Sequence, residues 1–243
     1  MKGDLHVHSS YPIQPSHDLG RNTMEEMIAY AIEHKYEYIG FSEHNPSVSK
    51  HTKQQIVTLL KKRNEHIEKL REKYSKKISI VSLMETDILV DGSLALPEDA
   101  LNLLDGTLVS IHSSFSMNKK DMTKRVLAGL SHPKAKILSH PTGRLPQTRP
   151  GYELDFDTVF DFCKKNNKAL EINGQSSRLD LPDIIVREAV KNGVKMTIDT
   201  DSHATEQMDR MKYGISVARR GWAEKKDIVN TLNYKEFEKW LKL

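Results

Sequence analysis

Eleven histidines stand in this chain, and six of them fall where metal or phosphate chemistry would use them. His6 and His8 are two residues apart, and so are Asp201 and His203. At that spacing two side chains of an extended segment point to the same side. Glu43-His44, Glu85-Thr86-Asp87, His112 and His140 each follow a short apolar run. Imidazole mixed with carboxylate suits zinc, manganese or iron, and with one cysteine in the chain there is no thiolate cluster for a structural zinc. Any one of these histidines alone would read as an ordinary hydrogen-bonded loop residue. Six positions of the same kind are another matter, because no packing requirement selects them. The pattern predicts a multinuclear centre of two or three divalent ions, with Glu85 as the natural bridging carboxylate. Closely spaced divalent ions lower the pKa of a bound water from about 15.7 to about 7 and stabilise both the attacking and the leaving oxygen of an in-line displacement. The expected reaction is therefore phosphoester hydrolysis by a metal-bridging hydroxide, with no protein nucleophile.

Those side chains need elements that bring them together. Short apolar, β-branched runs occur at Leu5 to Val7, Tyr36 to Phe41, Ile78 to Leu83, Gly106 to Ile111, Ala135 to Leu138, Ala169 to Ile172 and Val194 to Ile198, with a weaker eighth at Gly214 to Val217. Helical segments separate them. Thr23-Met24-Glu25-Glu26 opens one with a capping box running toward His34, and Thr52 to Lys73 is long and amphipathic with Ile56, Leu59, Leu60, Ile67 and Leu70 on one face. Further helices are expected over Asp121 to Leu130, Asp157 to Lys165 and Asp183 to Lys191. Runs too short and apolar to have a wet face, alternating with helices, predict an α/β fold with a parallel sheet or barrel, as one domain over residues 1–243. In such barrels functional groups gather at the C-terminal strand ends, which is where the candidate ligands lie. His34, His51 and His66 are expected on helix surfaces, and His132 at a helix end facing free carbonyls.

Composition limits the alternatives. With 243 residues, 37% hydrophobic and 29% charged, the chain supports one substantial core and excludes disorder, collagen and coiled coil. The net charge of +4 permits a phosphate-bearing partner without requiring one. Cys163 follows Val159, Phe160 and Phe162 and reads as a buried, inert thiol. The N-terminus lacks the apolar run of a signal peptide and no stretch is long enough to span a membrane, so a cytoplasmic protein is expected. Arg144, just past His140, is placed to clamp a phosphate or to stabilise its loop, and Arg178 is similarly placed. Glu171 and Asn173 read as polar residues supporting the site from the mouth of the fold. Lys53, Lys61, Lys62, Arg63, Lys69 and Arg71 read as a solvated outer helix face, and Lys119, Lys120, Arg149, Arg219 and Arg220 as scattered surface charge.

Asp4-Leu5-His6-Val7-His8-Ser9, followed by His44, Glu85, His112, His140 and Asp201-x-His203, resembles the PHP (polymerase and histidinol phosphatase) family over essentially the whole chain. Asp91-Gly92-Ser93-Leu94 to Pro97, His140-Pro141-Thr142-Gly143-Arg144, Arg178 to Leu181 and Ala218 to Trp222 are similar to the PHP domain at the C-terminus of family X DNA polymerases. The resemblance implies a distorted seven-stranded TIM-like (β/α) barrel and a metal-dependent 3′ to 5′ exonuclease or 3′-end phosphoesterase. It implies a first metal on His6, His8, Glu85 and Asp201, a second on Glu85, His112 and His140, and a third on His44 and His203. The remaining third-metal ligand would be Asp18, with His17 as the alternative, in a loop somewhat longer than usual. Glu85, His112, Asp201 and His203 are then the catalytic candidates, and Arg144 and Arg178 the substrate-binding ones. Glu43 replaces an aspartate common in the family and would have to orient His44 through a rearranged hydrogen bond. No polymerase segment precedes Met1, so a free-standing relative or an excised domain is expected, acting on a DNA 3′ end or on a small phosphorylated metabolite such as histidinol phosphate. A metal-binding scaffold without turnover is the non-enzymatic alternative, disfavoured because the ligand positions are filled.

Overall fold

The computed structural model describes residues 1–242 and shows strands and helices in alternation. In chain order they are β1 (Gly3–Val7), α1 (Met24–Glu33), β2 (Tyr38–Phe41), α2 (Lys53–Tyr74), β3 (Ser79–Ser82), β4 (Glu85–Asp87), α3 (Glu98–Leu101) and β5 (Thr107–Ser110). There follow α4 (Lys119–Leu130), β6 (Ala135–Leu138), α5 (Phe156–Lys165), β7 (Ala169–Asn173), α6 (Asp183–Asn192), β8 (Lys195–Asp199), α7 (Met211–Arg220) and α8 (Tyr234–Lys242). Every strand pair is parallel, in two sheets ordered β1-β2-β3 and β4-β5-β6-β7-β8. Parallel strands need helices on their outer side, which is why almost every strand residue is buried and the runs read as continuously apolar. The sheets meet through parallel bridges Val7–Ser202 and His44–Glu85.

Local chemistry sets the helix starts. Thr23 and Glu26 form the expected capping box on α1, and Thr52 with Gln55 forms a second on α2. Gly193 ends α6 at φ 71°, the left-handed cap that glycine adopts without strain. Helix α8 covers one end of the strands: Phe237, Trp240 and Leu241 pack with Leu5, Tyr38, Leu108, Ile137 and Ala169. That end is the N-terminal one, since Asn167, just before β7, donates to the Trp240 carbonyl. The opposite end is left open for chemistry. No helix among the described residues is long and apolar enough to cross a membrane.

Two expectations change. The third apolar run is two strands, because the chain leaves β3 after Ser82 and pairs with β5 from Glu85 onward. Gly214 to Val217 belongs to α7 rather than to a strand. A Cβ at Gly214 would lie 2.5 Å from Ile198 Cγ2, so this glycine lets the helix press onto β8.

Candidate metal centre

The C-terminal strand ends bring the expected residues into one buried cluster. His6 lies in β1 and His8 just beyond it, both facing the same side as their spacing requires. Glu85, the first residue of β4, is the hub. Its Oε2 lies 3.2 Å from His6 Nε2, 3.0 Å from His44 Nδ1 and 3.5 Å from His8 Nε2. Its Oε1 accepts from His140 Nε2 at 2.8 Å and lies 3.3 Å from His112 Nε2. One carboxylate thus spans both halves of the cluster. Asp201 Oδ1 lies 3.3 Å from His8 Nε2 and 3.6 Å from His6 Nε2. His203 stacks on His8 with ring centroids 4.1 Å apart.

The two candidates in the first loop are separated by the geometry. Asp18 reaches His44 Nε2 and His203 Nε2, each at 3.3 Å, whereas His17 Nε2 sits 3.4 Å from Asp87 Oδ1 on the other side. His17 also groups with His44 and His112, so both residues face the cavity.

Around this cluster a ring of carboxylates fixes the imidazoles. His6 Nδ1 donates to Glu171 Oε1 and His112 Nδ1 to Asp87 Oδ1, each at 2.6 Å. Glu171 Oε2 accepts the backbone N–H of His140 at 2.6 Å, and Asn173 Nδ2 donates to both Glu171 and Asp201 at 3.1 Å. Glu171 and Asn173 therefore stand where their sequence positions placed them. Asp87 stands in the Glu85-Thr86-Asp87 strand end without a role read from the sequence, although its place two residues after Glu85 puts it on the same face of β4.

Electrostatics follow the carboxylates. Burial pushes His6 and His112 down, but the acidic neighbours outweigh it: Glu171, Asp201 and Glu85 hold His6 well above its ordinary value, and Glu85 and Asp87 lift His112 to about 9. His8 is pushed well down by burial and by His203, and His140 is pushed down to about 4 by burial and Arg178. Glu85 and Asp201 stay well below the usual carboxylate range in spite of burial, held there chiefly by His44 and His6 respectively.

The residues fit divalent cations. Four groups of three side chains have ligand atoms mutually within 4.8 Å: His6-His8-Asp201, Glu85-His112-His140, His8-His44-His203 and His17-His44-His112. Buried His6 Nε2, His44 Nδ1, His203 Nε2 and Glu85 Oε2, with both ring nitrogens of His8, lack hydrogen-bond partners among the described residues. Buried polar atoms are normally paired, and aromatic nitrogens crowded around one carboxylate are what a cation would satisfy. His140 and Asp201 also hold φ of 31° and 52°, left-handed values costly for such residues.

A cavity of about 320 Å³ opens over the cluster, with Arg178, Gln175, Ser177 and Gln207 on its wall. Arg178 Nε lies 3.6 Å from Asp201 Oδ2. Arg144 does not line this cavity: Nε donates to the Arg178 carbonyl at 3.1 Å and Nη2 to the Leu179 carbonyl, so it holds the loop that carries Arg178. Gln175, Ser177 and Gln207 gave no signal in the sequence beyond following β7 or β8.

Among the remaining histidines, His34 is exposed and His51 bonds Gln14 and the Ser47 carbonyl. His132 pairs with Glu98 at 3.0 Å rather than with free carbonyls. Cys163 is fully buried, its thiol pushed up to about 12 by burial. Arg63 corrects the reading of α2 as a basic outer face, because it is fully buried. Glu43 is also corrected: its carboxylate binds Arg63 and Ser9 and makes no hydrogen bond to the His44 ring.

No family model matches the chain. Among curated proteins it is 35% identical over 242 residues to the DNA polymerase/3′-5′ exonuclease PolX of Bacillus subtilis, an alignment spanning all of this chain and 41% of that protein. It is 28% identical over 195 residues to a probable phosphatase of Caldicellulosiruptor saccharolyticus, covering 75% of this chain and 74% of the relative. A probable phosphatase of Thermoanaerobacter sp. is 26% identical over 164 residues, 63% of this chain and 64% of the relative. The chain thus spans less than half the length of the polymerase it matches.

Proposed function

The chain belongs to the PHP (polymerase and histidinol phosphatase) family and is related to family X DNA polymerases, and on that premise we propose that it is a metal-dependent phosphoesterase acting at DNA 3′ ends. The observation that carries the reading is the double reach of Glu85, whose two oxygens face different halves of one histidine cluster. His6, His8, Glu85 and Asp201 would hold one cation, Glu85, His112 and His140 a second, and His44, His203 and Asp18 a third. Zinc, manganese or iron would suit these donors. Bound there, the cations would supply an activated water and neutralise charge developing on the phosphoryl oxygens.

The protein's own residues do the rest. Glu171 and Asp87 hold one ring proton of His6 and of His112 on Nδ1, so that each Nε2, on giving up its own proton, would turn its lone pair to the centre. Arg178, on the cavity wall, binds and orients the phosphate, and Arg144 fixes Arg178 through the loop backbone. The same reading extends to the architecture: the Val7–Ser202 and His44–Glu85 bridges support closure of the sheets into a distorted barrel.

The preference for DNA rests on similarity to the polymerase/exonuclease along the whole chain. The relatives named probable phosphatases favour a second reading, a monoesterase on a small metabolite. With manganese present, a 3′-labelled single-stranded oligonucleotide tested beside histidinol phosphate separates them. Laddered 3′ shortening is expected, and phosphate release from the monoester alone would replace the first reading by the second.

A further inference from the structure

Glu43 and Arg63 form a buried ion pair directly behind the histidine cluster. Both are essentially inaccessible, at 1% and 0% exposure. Arg63 reaches in from α2 and spends its guanidinium on three groups, two from the end of β2 and one from β3. Its Nε donates to Glu43 Oε2 at 2.7 Å, Nη1 to Ser82 Oγ at 3.1 Å and Nη2 to the Phe41 carbonyl at 2.9 Å. The other carboxylate oxygen of Glu43 accepts from Ser9, at 3.2 Å from its backbone N and 2.5 Å from its Oγ. The main-chain carbonyl of Glu43 accepts the Glu85 N–H at 3.0 Å.

The placement ties together residues that neighbour three candidate ligands. Ser9 follows His8, Glu43 precedes His44, and Glu85 is the hub itself. His8 and His44 come from different strands, and their ring centroids lie 4.6 Å apart. A buried ion pair is a poor way to gain stability, because desolvation of both charges offsets the attraction, and apolar replacements of similar volume are often neutral or stabilising. The pair does, however, dictate geometry: a rigid guanidinium fork has one orientation that serves Glu43, Ser82 and Phe41 together.

We propose that Glu43 and Arg63 are positioning residues that set the place of His44 relative to His8, and so the affinity of the third cation position, on His44, His203 and Asp18. The inference rests on the metal-centre reading above. Neither residue touches the cation or the substrate. They act through Ser9 and the main chain of Glu43.

The test replaces both charges together, Glu43→Met with Arg63→Met, so that no unpaired charge is left buried. Glu43→Gln serves as a second variant that keeps the shape and a bond to Ser9. Cation binding by the full chain is measured by calorimetric titration with Mn²⁺ and by the visible absorption of Co²⁺, alongside thermal unfolding without metal. The double variant is expected to unfold cooperatively at a temperature close to wild type, yet to bind the weakest cation roughly tenfold to a hundredfold less tightly. Glu43→Gln should fall between the two. Unchanged affinity in either folded variant overturns the proposal while leaving the metal centre intact. Failure of the unsubstituted protein to bind divalent cations overturns the metal centre and this inference with it.

Discussion

His6 donates from Nδ1 to Oε1 of Glu171 across 2.6 Å, with both side chains fully buried. The other oxygen of Glu171 accepts the N–H of His140, so one carboxylate sets the ring of one candidate ligand and the backbone of another. Glu171→Gln keeps the shape and removes the charge. It is expected to weaken divalent-cation binding by roughly tenfold to a hundredfold, read by calorimetric titration with Mn²⁺. Affinity equal to wild type would mean that Glu171 only packs.

The two arginines should separate in their effects. Arg178 faces the cavity, whereas Arg144 donates to the carbonyls of Arg178 and Leu179. Arg178→Ala is expected to lower kcat/KM by about tenfold or more with little change in Tm, as loss of a charged phosphate contact does. Arg144→Ala is expected to destabilise the fold by about 1.5–3 kcal/mol, the usual range for hydrogen bonds to a charged group. Equal kinetic losses without any stability change would contradict the division.

How far the sequence reveals this site depends on where each partner comes from. His6, His8, Asp201 and His203 were legible because the two-residue period of an extended chain is local, and His44, His112 and His140 because each follows an apolar run. Arg63 was not legible. A charge within an amphipathic helix reads as solvent-facing, and only the fold shows Glu43 waiting for it. Arg144 had two open readings, and the carbonyls that decide between them lie more than thirty residues away. The split of β3 from β4 was hidden because apolar residues continue through Leu83 and Met84 while the pairing partner changes. In Gly214 to Val217, a β-branched pattern yields to contacts with β8.

Cation loading should release protons. The carboxylates around His6 and His112 keep both imidazoles protonated at neutral pH in the metal-free protein, His112 with a value of about 9. Ligating histidines must be neutral, so binding at pH 7 is expected to expel on the order of two protons and to strengthen as pH rises toward 9. Titrations in buffers of different ionisation enthalpy measure this. Heats independent of the buffer would contradict it.

Away from the centre, Lys168 gives a stability signature. Its ammonium donates to the carbonyls of His132 and Ala135 at 3.0 and 2.6 Å, and burial, with help from Lys136, pushes it down to about 8 from an ordinary 10.5. Between those values the unfolded chain binds this proton more than the folded one does, so unfolding free energy gains from rising pH. The penalty is fully present below pH 8 and relieved toward the unfolded value. Denaturant unfolding at pH 7.5, 8.5 and 9.5 should show wild type gaining on Lys168→Met as pH rises. A constant difference would show that Lys168 keeps its ordinary affinity for protons.

One cluster of histidines and carboxylates is proposed to hydrolyse phosphoesters through bound cations. The most direct test follows hydrolysis of a chromogenic phosphodiester by chelator-stripped protein as Mn²⁺ is added back, with His112→Ala in parallel. No turnover is expected without metal, with recovery that saturates with cation occupancy and a loss of roughly a hundredfold or more in the variant. Hydrolysis that survives both chelation and His112→Ala would place the chemistry elsewhere.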